Sequence, residues 1–419
     1  MVYQPPVGAR DLLPLDVAQK HWIEDRLQQV FHRWGYHRII TSTLERMDTL
    51  MAGGAIQRSA VIQLQNADDE DLGLRPELTA SIARTAITRM AGVTYPQRLY
   101  YNANVFQRTS ELKHNRQQEF YQAGVELLGS GGNLADAEIL LLVAECLQAL
   151  GLNQWHLILG EAQITRSLLK AFPAHLQGKI RSAIAHLDRV TIDTLPLSDE
   201  LRERAIIMLD LRGNPDDVLQ KLTSLGLDQP LQAVVDNLKS LVELLKNTVV
   251  NTTENQSRGI EIILDLSLLQ TFDYYTGIVF EVVSDTDGQA RIVGRGGRYD
   301  QLLGLYHPKG ENIRGIGFAL FLEDLQQILL SARQLPQTTP ASNWLIVPET
   351  PNAYAAAFAY ATKLRDSNHL VRVEMDLGGR DTDEIRQYAR ERDIAQIAWI
   401  KADGATMIES LAKSYSSNC

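Results

Sequence analysis

The sequence predicts an α+β protein: an antiparallel sheet flanked by helices, broken by a helical insertion and followed by a small α/β domain. Three observations carry this. Residues 95–129 hold two runs of strand character, Arg98–Phe106 and Glu119–Leu128, on either side of a polar loop at Gln107–Gln118, the layout of a long antiparallel hairpin. From about Gln163 to Ser257 the chain is rich in leucine and nearly free of strand alternation, so this block is expected to be helical. Beyond a stretch of Gln, Pro and Thr at 331–342, strand and helix patterns alternate at short spacing, as in a small domain with a parallel sheet.

Taken in chain order, an amphipathic helix is expected over about Leu15–Trp34, where Ala18, Trp22, Ile23, Leu27, Val30 and Phe31 recur at helical spacing. Gly35 ends it, just past the basic His32 and Arg33. After the hairpin, Asp136–Leu150 is a strong helix. Strands return at Gly259–Asp265 and Ile278–Ser284, and Gly294-Arg295-Gly296-Gly297 reads as a glycine-rich turn before another helix at Tyr299. These elements form a core over 1–330, with the insertion at about 163–257. Residues 331–342 read as a linker. In 343–413 the pattern is strand Leu345–Val347, helix Ala353–Arg365, strand Leu370–Glu374, helix Asp381–Arg392 and strand Ala395–Ile400. The polar end, 414–419, is expected to be a disordered tail.

Composition narrows the function. The 419 residues suggest two or three domains at roughly 150 residues each. A hydrophobic content of 45% and a charged content of 22% are ordinary for globular protein and allow a sizeable core. Cys146 and Cys419 are too few and too distant for a disulfide framework or a thiolate metal site, and no cofactor is implied. With no basic region leading into an apolar run and no stretch near the ~20 apolar residues of a membrane helix, a cytoplasmic protein is expected. The net charge of −10 weighs weakly against nucleic-acid binding, since a basic face can hide on an acidic protein.

Four segments carry chemistry. In Leu74-Arg75-Pro76-Glu77-Leu78-Thr79, the carboxylate of Glu77 and the hydroxyl of Thr79, two apart in an extended segment, point the same way and can share one ammonium. An isolated glutamate beside a proline is more often a solvated loop acid. In Glu119–Glu126, strand alternation puts Phe120, Gln122, Gly124 and Glu126 on one face and Tyr121, Ala123, Val125 and Leu127 on the other. The second set suits a core. The first places an amide and a carboxylate around Gly124, a gap where a small ligand can lie, although an edge strand with a solvated polar face has the same pattern. Tyr274 and Tyr275 offer an aromatic wall with hydroxyl tips. Adjacent residues of a strand face opposite ways, so one is expected to touch ligand and the other to support it; the sequence leaves open which. Gly294–Asp300 lacks the Lys-Ser/Thr of a P-loop and the spacing of a dinucleotide fingerprint, and reads as backbone packed close to the pocket.

These segments, with Gly8-Ala9-Arg10-Asp11-Leu12-Leu13-Pro14 before them and Leu269-Gln270-Thr271-Phe272-Asp273-Tyr274-Tyr275-Thr276-Gly277 among them, occur in the order of the motifs of histidyl-tRNA synthetases. The chain resembles that family, which has the class II aminoacyl-tRNA synthetase fold, over nearly its whole length. The resemblance implies that Glu77 and Thr79 hold a substrate ammonium, that Gln122 meets the amino-acid backbone, that Glu126 accepts from an imidazole nitrogen, and that Tyr274 and Tyr275 complete the pocket. A carboxylate facing an imidazole N–H also rejects ligands that lack the donor.

The phosphate side departs from the family. Gln270 stands where synthetases have the arginine that faces the reacting phosphate. In Phe106-Gln107-Arg108-Thr109-Ser110-Glu111, Gln107 takes the place of a second arginine, and a one-residue slip turns Arg108 to the other face unless a bulge restores it. Gly317–Asp324 ends in Asp324 instead of arginine and has Phe321 at a glycine position. Ser42 replaces a proline and Leu78 a glycine. Removing one preorganised charge of this kind typically costs 10²–10³ in rate, about 3–4 kcal/mol.

A chain that keeps the amino-acid contacts and loses the phosphate contacts resembles the regulatory subunits of ATP phosphoribosyltransferase, a family of non-catalytic paralogues of the synthetase. That resemblance implies no catalytic residue in this chain. It implies a short-form catalytic subunit as partner at the first step of histidine biosynthesis, in a hexameric or larger complex, with histidine as effector. It also implies a homodimer within the hetero-oligomer and no tRNA. A working synthetase with divergent motifs, or an interaction-only paralogue that no longer binds histidine, are the alternatives. The last domain resembles a synthetase anticodon-binding domain but stops near the third strand. From Pro336 onward it has nine Lys or Arg against eleven Asp or Glu, where RNA binding favours a basic excess.

Overall fold

A computed structural model describes residues 3–54, 56–65, 70–90, 92–108, 117–223, 225–248, 260–268, 274–285 and 289–411. The chain divides into two compact units, one of Met1–Leu13 with Gln19–Leu335 and one of Pro14–Ala18 with Pro336–Cys419.

The first unit is built on a nine-stranded sheet. Its central strands are β1 (Gln97–Phe106), β2 (Glu119–Leu128), β3 (Trp155–Glu161), β4 (Ile278–Ser284), β5 (Arg291–Arg298) and β6 (Gly315–Phe321). Across the sheet the order is His37–Arg38, β1, β2, β6, β5, β4, β3, Ile262–Asp265 and Arg212–Gly213. The central pairs are antiparallel. Only the pairing of His37–Arg38 with β1 and that of Ile262–Asp265 with β3 are parallel. The expected hairpin is present, in register from Gln97↔Leu128 to Phe106↔Glu119.

Alternation along β2 decides the layers. Ala123, Val125 and Leu127 pack against Ile23, Leu27, Val30 and Phe31 of helix α1 (Pro14–Arg33) and against Ile139, Leu142 and Val143 in a later helix, Asn133–Ala149. Gln122 and Glu126 turn to the opposite face. That face is crossed by α2 (Thr79–Arg89), whose Ile82, Ala83 and Ala86 pack with Leu99, Tyr101 and Leu128. The helix at Asn133–Ala149 is labelled α3.

The leucine-rich block forms six helices between Ala162 and Asn247, and Leu168, Ile180, Leu222, Leu238 and Leu245 bury into the same core as α1. It is not purely helical: Arg212–Gly213 adds to the sheet edge beside Ile262–Asp265. Two residues are too few for alternation to register. Trp155–Glu161, immediately before the block, also escaped the sequence reading and is a central strand.

Gly294–Gly297 is a second correction. It lies inside β5, not in a turn, and Tyr299 starts no α-helix; only a 3-10 turn at Leu303–Leu305 follows. The glycines are there because the sheet is crowded. A Cβ on Gly296 would sit 2.4 Å from the carbonyl oxygen of Gly317 and 2.4 Å from the Phe280 ring. Glycine inside a strand marks such close approach as often as a turn.

In the second unit the sheet order is Val373–Met375, Trp344–Pro348, Gln396–Ile400, Thr406–Ser410. The first three are parallel as expected, but the fourth is antiparallel, so the sheet is mixed and has one strand more than the sequence suggested. Met407 and Ile408 of that strand are both half exposed, so it shows no clean inward–outward alternation. Helices Tyr354–Arg365 and Thr382–Glu391 cover opposite faces, through Ala357 and Ala361 on one side and Ile385 and Ala389 on the other. Asp381 starts the second of them in a capping box with Glu384. The tail at 414–419 lies outside the described residues. Among the described residues no helix is long and apolar enough to cross a membrane, and no group of three His, Cys, Asp or Glu could hold a metal ion.

Candidate functional site

On the face of the sheet opposite α1, an open cleft lies over β1, β2, β5 and β6. Five of the six expected pocket residues line it: Glu77, Thr79, Gln122, Tyr274 and Tyr275. Arg75 sets the approach to the first two. Buried, it donates to the carbonyls of Thr41 and Ser42 at 2.9 and 3.2 Å and to that of Asn104 at 3.0 Å, which fixes the loop leading to Glu77.

Glu77 and Thr79 do not share an extended segment. Leu78 is already in the α region and Thr79 begins α2. Glu77 therefore curls over the helix start, its Oε2 accepting from the Thr79 N–H at 2.6 Å and its Oε1 from the Ala80 N–H at 2.8 Å. This is a carboxylate capping a helix N-terminus, where the unpaired N–H groups and the dipole favour negative charge. Burial pushes its carboxyl pKa up, while those backbone donors pull it down.

Glu126 sits one layer behind the cleft wall, 1% exposed. Its Oε1 accepts from the Thr79 hydroxyl at 2.8 Å and its Oε2 from the Tyr299 hydroxyl in a short bond. A Cβ on Gly317 would overlap Oε2, so the missing side chain there is what admits the carboxylate. The space over Gly124 is not a ligand gap: the Tyr101 hydroxyl and the Phe318 carbonyl fill it, at 2.5 and 2.1 Å from where a Cβ would stand.

Tyr274 and Tyr275 precede β4, so strand alternation does not act on them, and both line the cleft with ring centroids 4.9 Å apart. Tyr299 stands edge-on to Tyr274 at 6.0 Å. Tyr101, Tyr299, Arg295 and Phe321 also line the cleft and were not assigned from sequence. For Tyr299, the Arg-Tyr-Asp that ends the glycine-rich motif was the available signal.

The positions read as lost phosphate contacts are spread. Gln107 lines the cleft and donates through Nε2 to the Pro76 carbonyl at 3.1 Å. Arg108 is exposed and off the cleft lining, and the hairpin register shows no bulge to bring it back. Asp324 is in the first turn of the helix Leu322–Ser331, near Arg291 and Arg295; burial raises its carboxyl pKa and those arginines lower it. Gln270 lies outside the described residues.

Burial has a measurable consequence at Glu126. It pushes the carboxyl pKa from 4.5 to about 8, against the pull of the Tyr299 and Thr79 hydroxyls. Between those two values the folded chain holds a proton that the unfolded chain has lost. Its contribution to stability is complete below pH 4.5 and is lost as pH rises to 8, at about 1.4 kcal/mol per pH unit. Glu126→Gln, which cannot ionise, is expected to unfold later than wild type at pH 8.5 and to lose that advantage at pH 5. Equal unfolding midpoints for the two proteins at both pH values would show Glu126 to be ionised throughout.

The histidyl-tRNA synthetase family matches residues 8–325. A protein of Nostoc punctiforme described as an ATP phosphoribosyltransferase regulatory subunit is 75% identical over 411 residues, covering 98% of this chain and all of the relative. One of the same description from Nostoc sp. strain PCC 7120 is 72% identical over 413 residues, covering 99% of this chain and all of the relative. Among solved structures, an ATP phosphoribosyltransferase regulatory subunit/histidyl-tRNA synthetase from Bacillus halodurans aligns with a TM-score of 0.78 at 24% identity, covering 96% of this chain and 99% of that one. A histidyl-tRNA synthetase from Nostoc sp. PCC 7120 aligns with a TM-score of 0.77 at 19% identity, covering 98% and 97%. At these identities the structures speak for the fold.

Proposed function

Because the chain belongs to the family of ATP phosphoribosyltransferase regulatory subunits, built on the histidyl-tRNA synthetase fold, we propose that it is the non-catalytic, histidine-sensing partner of a short catalytic subunit. In this reading it is required for the partner's activity at the first step of histidine biosynthesis. It works as a homodimer within a hexameric or larger hetero-oligomer, and the reaction's metal and catalytic groups reside on the partner.

One observation supports this most. The residues that the resemblance assigns to an amino acid come together: Glu77, Thr79, Gln122 and two tyrosines line one cleft, with the Thr79–Glu126–Tyr299 network behind it. At the positions that the resemblance assigns to phosphate contacts stand Gln107, which lines the cleft, and Asp324, which does not, and Arg295 is the one cation among the described lining residues. Such a cleft can hold a zwitterionic amino acid but has little to stabilise a transferring phosphate.

Histidine-dependent ATP–pyrophosphate exchange is accordingly expected to fall about 10⁴–10⁶-fold below that of a working synthetase, if Gln270 and Asp324 each cost 10²–10³. Exchange at a synthetase rate would make the chain an enzyme. The positive test is histidine titration of the complex assembled with a short catalytic subunit, with and without phosphoribosyl pyrophosphate. Inhibition through this chain requires unequal affinity for active and inactive states, so by linkage the substrate must weaken histidine binding, by about 5–150-fold on the usual scale. Identical histidine affinities beside strong inhibition would place the sensor elsewhere.

A further inference from the structure

Arg295 has no part in the network that assembles the amino-acid end, yet it is the one cation among the described residues lining the cleft. It sits in mid-β5 with its side chain 40% exposed, and its Nε donates to Glu281 Oε1 at 2.7 Å. The terminal nitrogens of its guanidinium have no hydrogen-bond partner among the described residues.

The register locates it. Glu126 lies opposite Gly317, and Gly317 opposite Gly297. Two residues along, Gly124, Ala319, Arg295 and Glu281 form the next rung on the same face. With strands about 4.8 Å apart and about 3.4 Å per residue, the Cα atoms of Glu126 and Arg295 are about 12 Å apart. Between them Gly317 and Ala319 line the cleft, while the Tyr275 ring covers Gly297. Tyr275 stands over this interval, its ring 2.7 Å from where a Gly297 Cβ would be. Burial raises the Tyr275 hydroxyl pKa, Glu126 raises it further and Arg295 lowers it, which puts the ring near both groups. A short, polar-ended ligand on this floor meets, at one end, the Thr79 and Tyr299 residues that Glu126 backs and, at the other, a guanidinium.

We propose that Arg295 anchors the α-carboxylate of the bound amino acid, so that histidine lies along the floor with its imidazole toward Glu126 and its carboxylate toward β5. This rests on the cleft being the histidine site. Glu77 and Thr79 can take the ammonium and Gln122 can offer the backbone an uncharged amide, but a carboxylate in a partly buried cleft is best met by a cation, and a guanidinium fork matches its shape. Glu281 and Asp324 are the acids near Arg295. They hold its charge in place and compete with the ligand, which limits the effect.

The test compares histidine with histidinol, which keeps the imidazole and the ammonium and lacks the carboxylate, by calorimetry on the assembled complex. Arg295→Gln is expected to weaken histidine by about 10- to 100-fold, the scale of a charge-assisted hydrogen bond at a partly exposed site, and to leave histidinol unchanged. Arg295→Lys should recover part of the histidine affinity. Unchanged histidinol binding doubles as proof that the variant is folded. Equal weakening of both ligands, or of neither, overturns the assignment. Wild-type binding that Glu77→Gln abolishes and Arg295→Gln spares would remove Arg295 alone. A wild-type complex with no affinity for histidine overturns the sensing reading and this inference with it.

Discussion

Replacing Glu77 by glutamine is expected to weaken histidine binding by about 2–5 kcal/mol, roughly 30- to 5,000-fold, while leaving the unliganded fold nearly as stable as before. The two halves of this result come from the two duties of one side chain. Glu77 is buried, 8% exposed, and its carboxylate caps α2 through both oxygens. Glutamine keeps one acceptor for the cap but carries no charge for an ammonium. Alanine loses both, so Glu77→Ala should add about 0.5–2 kcal/mol of lost fold stability from the missing cap. Calorimetry gives the first quantity and urea unfolding of the unliganded chain gives the second. Histidine affinity untouched by either substitution would mean that the pocket is a relic.

Asp136→Ala is expected to destabilise the first unit by about 3–5 kcal/mol, because it strands Arg298 without its buried partner. Arg298 ends β5 and Asp136 is in α3; Nε and Nη2 of the arginine donate to Asp136 Oδ1 at 2.9 and 2.5 Å, with both side chains under a tenth exposed. Asp300, accepting from Nη1 at 3.0 Å, moves the expected value toward the lower end. The same arginine ties down the aromatic wall. Its Cδ is 2.8 Å from where a Gly277 Cβ would stand, and its carbonyl accepts from the Thr276 N–H at 2.6 Å. The double variant Asp136→Leu, Arg298→Met should therefore recover much of the stability without recovering histidine affinity. A urea midpoint for Asp136→Ala equal to that of wild type would show the pair to be dispensable.

Much of the protein was legible as sequence because local periodicity carried it. The hairpin of β1 and β2, the helix α1 and the six-helix block follow from alternation or helical spacing strong enough to survive any tertiary context. The same alternation separated Gln122 and Glu126 from the core-facing Ala123, Val125 and Leu127. The ordered motifs identified the family.

What local pattern could not supply were the contacts between segments distant in sequence. Gly294–Gly297 looks like a turn until β4 and β6 press on both sides of it and only glycine fits. Gly124 looks like an opening until Tyr101, from the neighbouring strand, fills it. Glu77 turned out to hold a helix start as well as to face the cleft, and Glu126 to stand behind Thr79 and Tyr299 instead of beside the ligand space. Arg295 drew no notice as one residue of a glycine-rich run. It became a candidate only when the pairing of β2, β6 and β5 placed it one rung from Glu126, beside Ala319 of the cleft lining. Periodicity is a property of neighbours along the chain, so the sequence determined which residues of β2 face the cleft side. The shape and charge of the cleft depend on which strands lie side by side, and only the tertiary structure decided that.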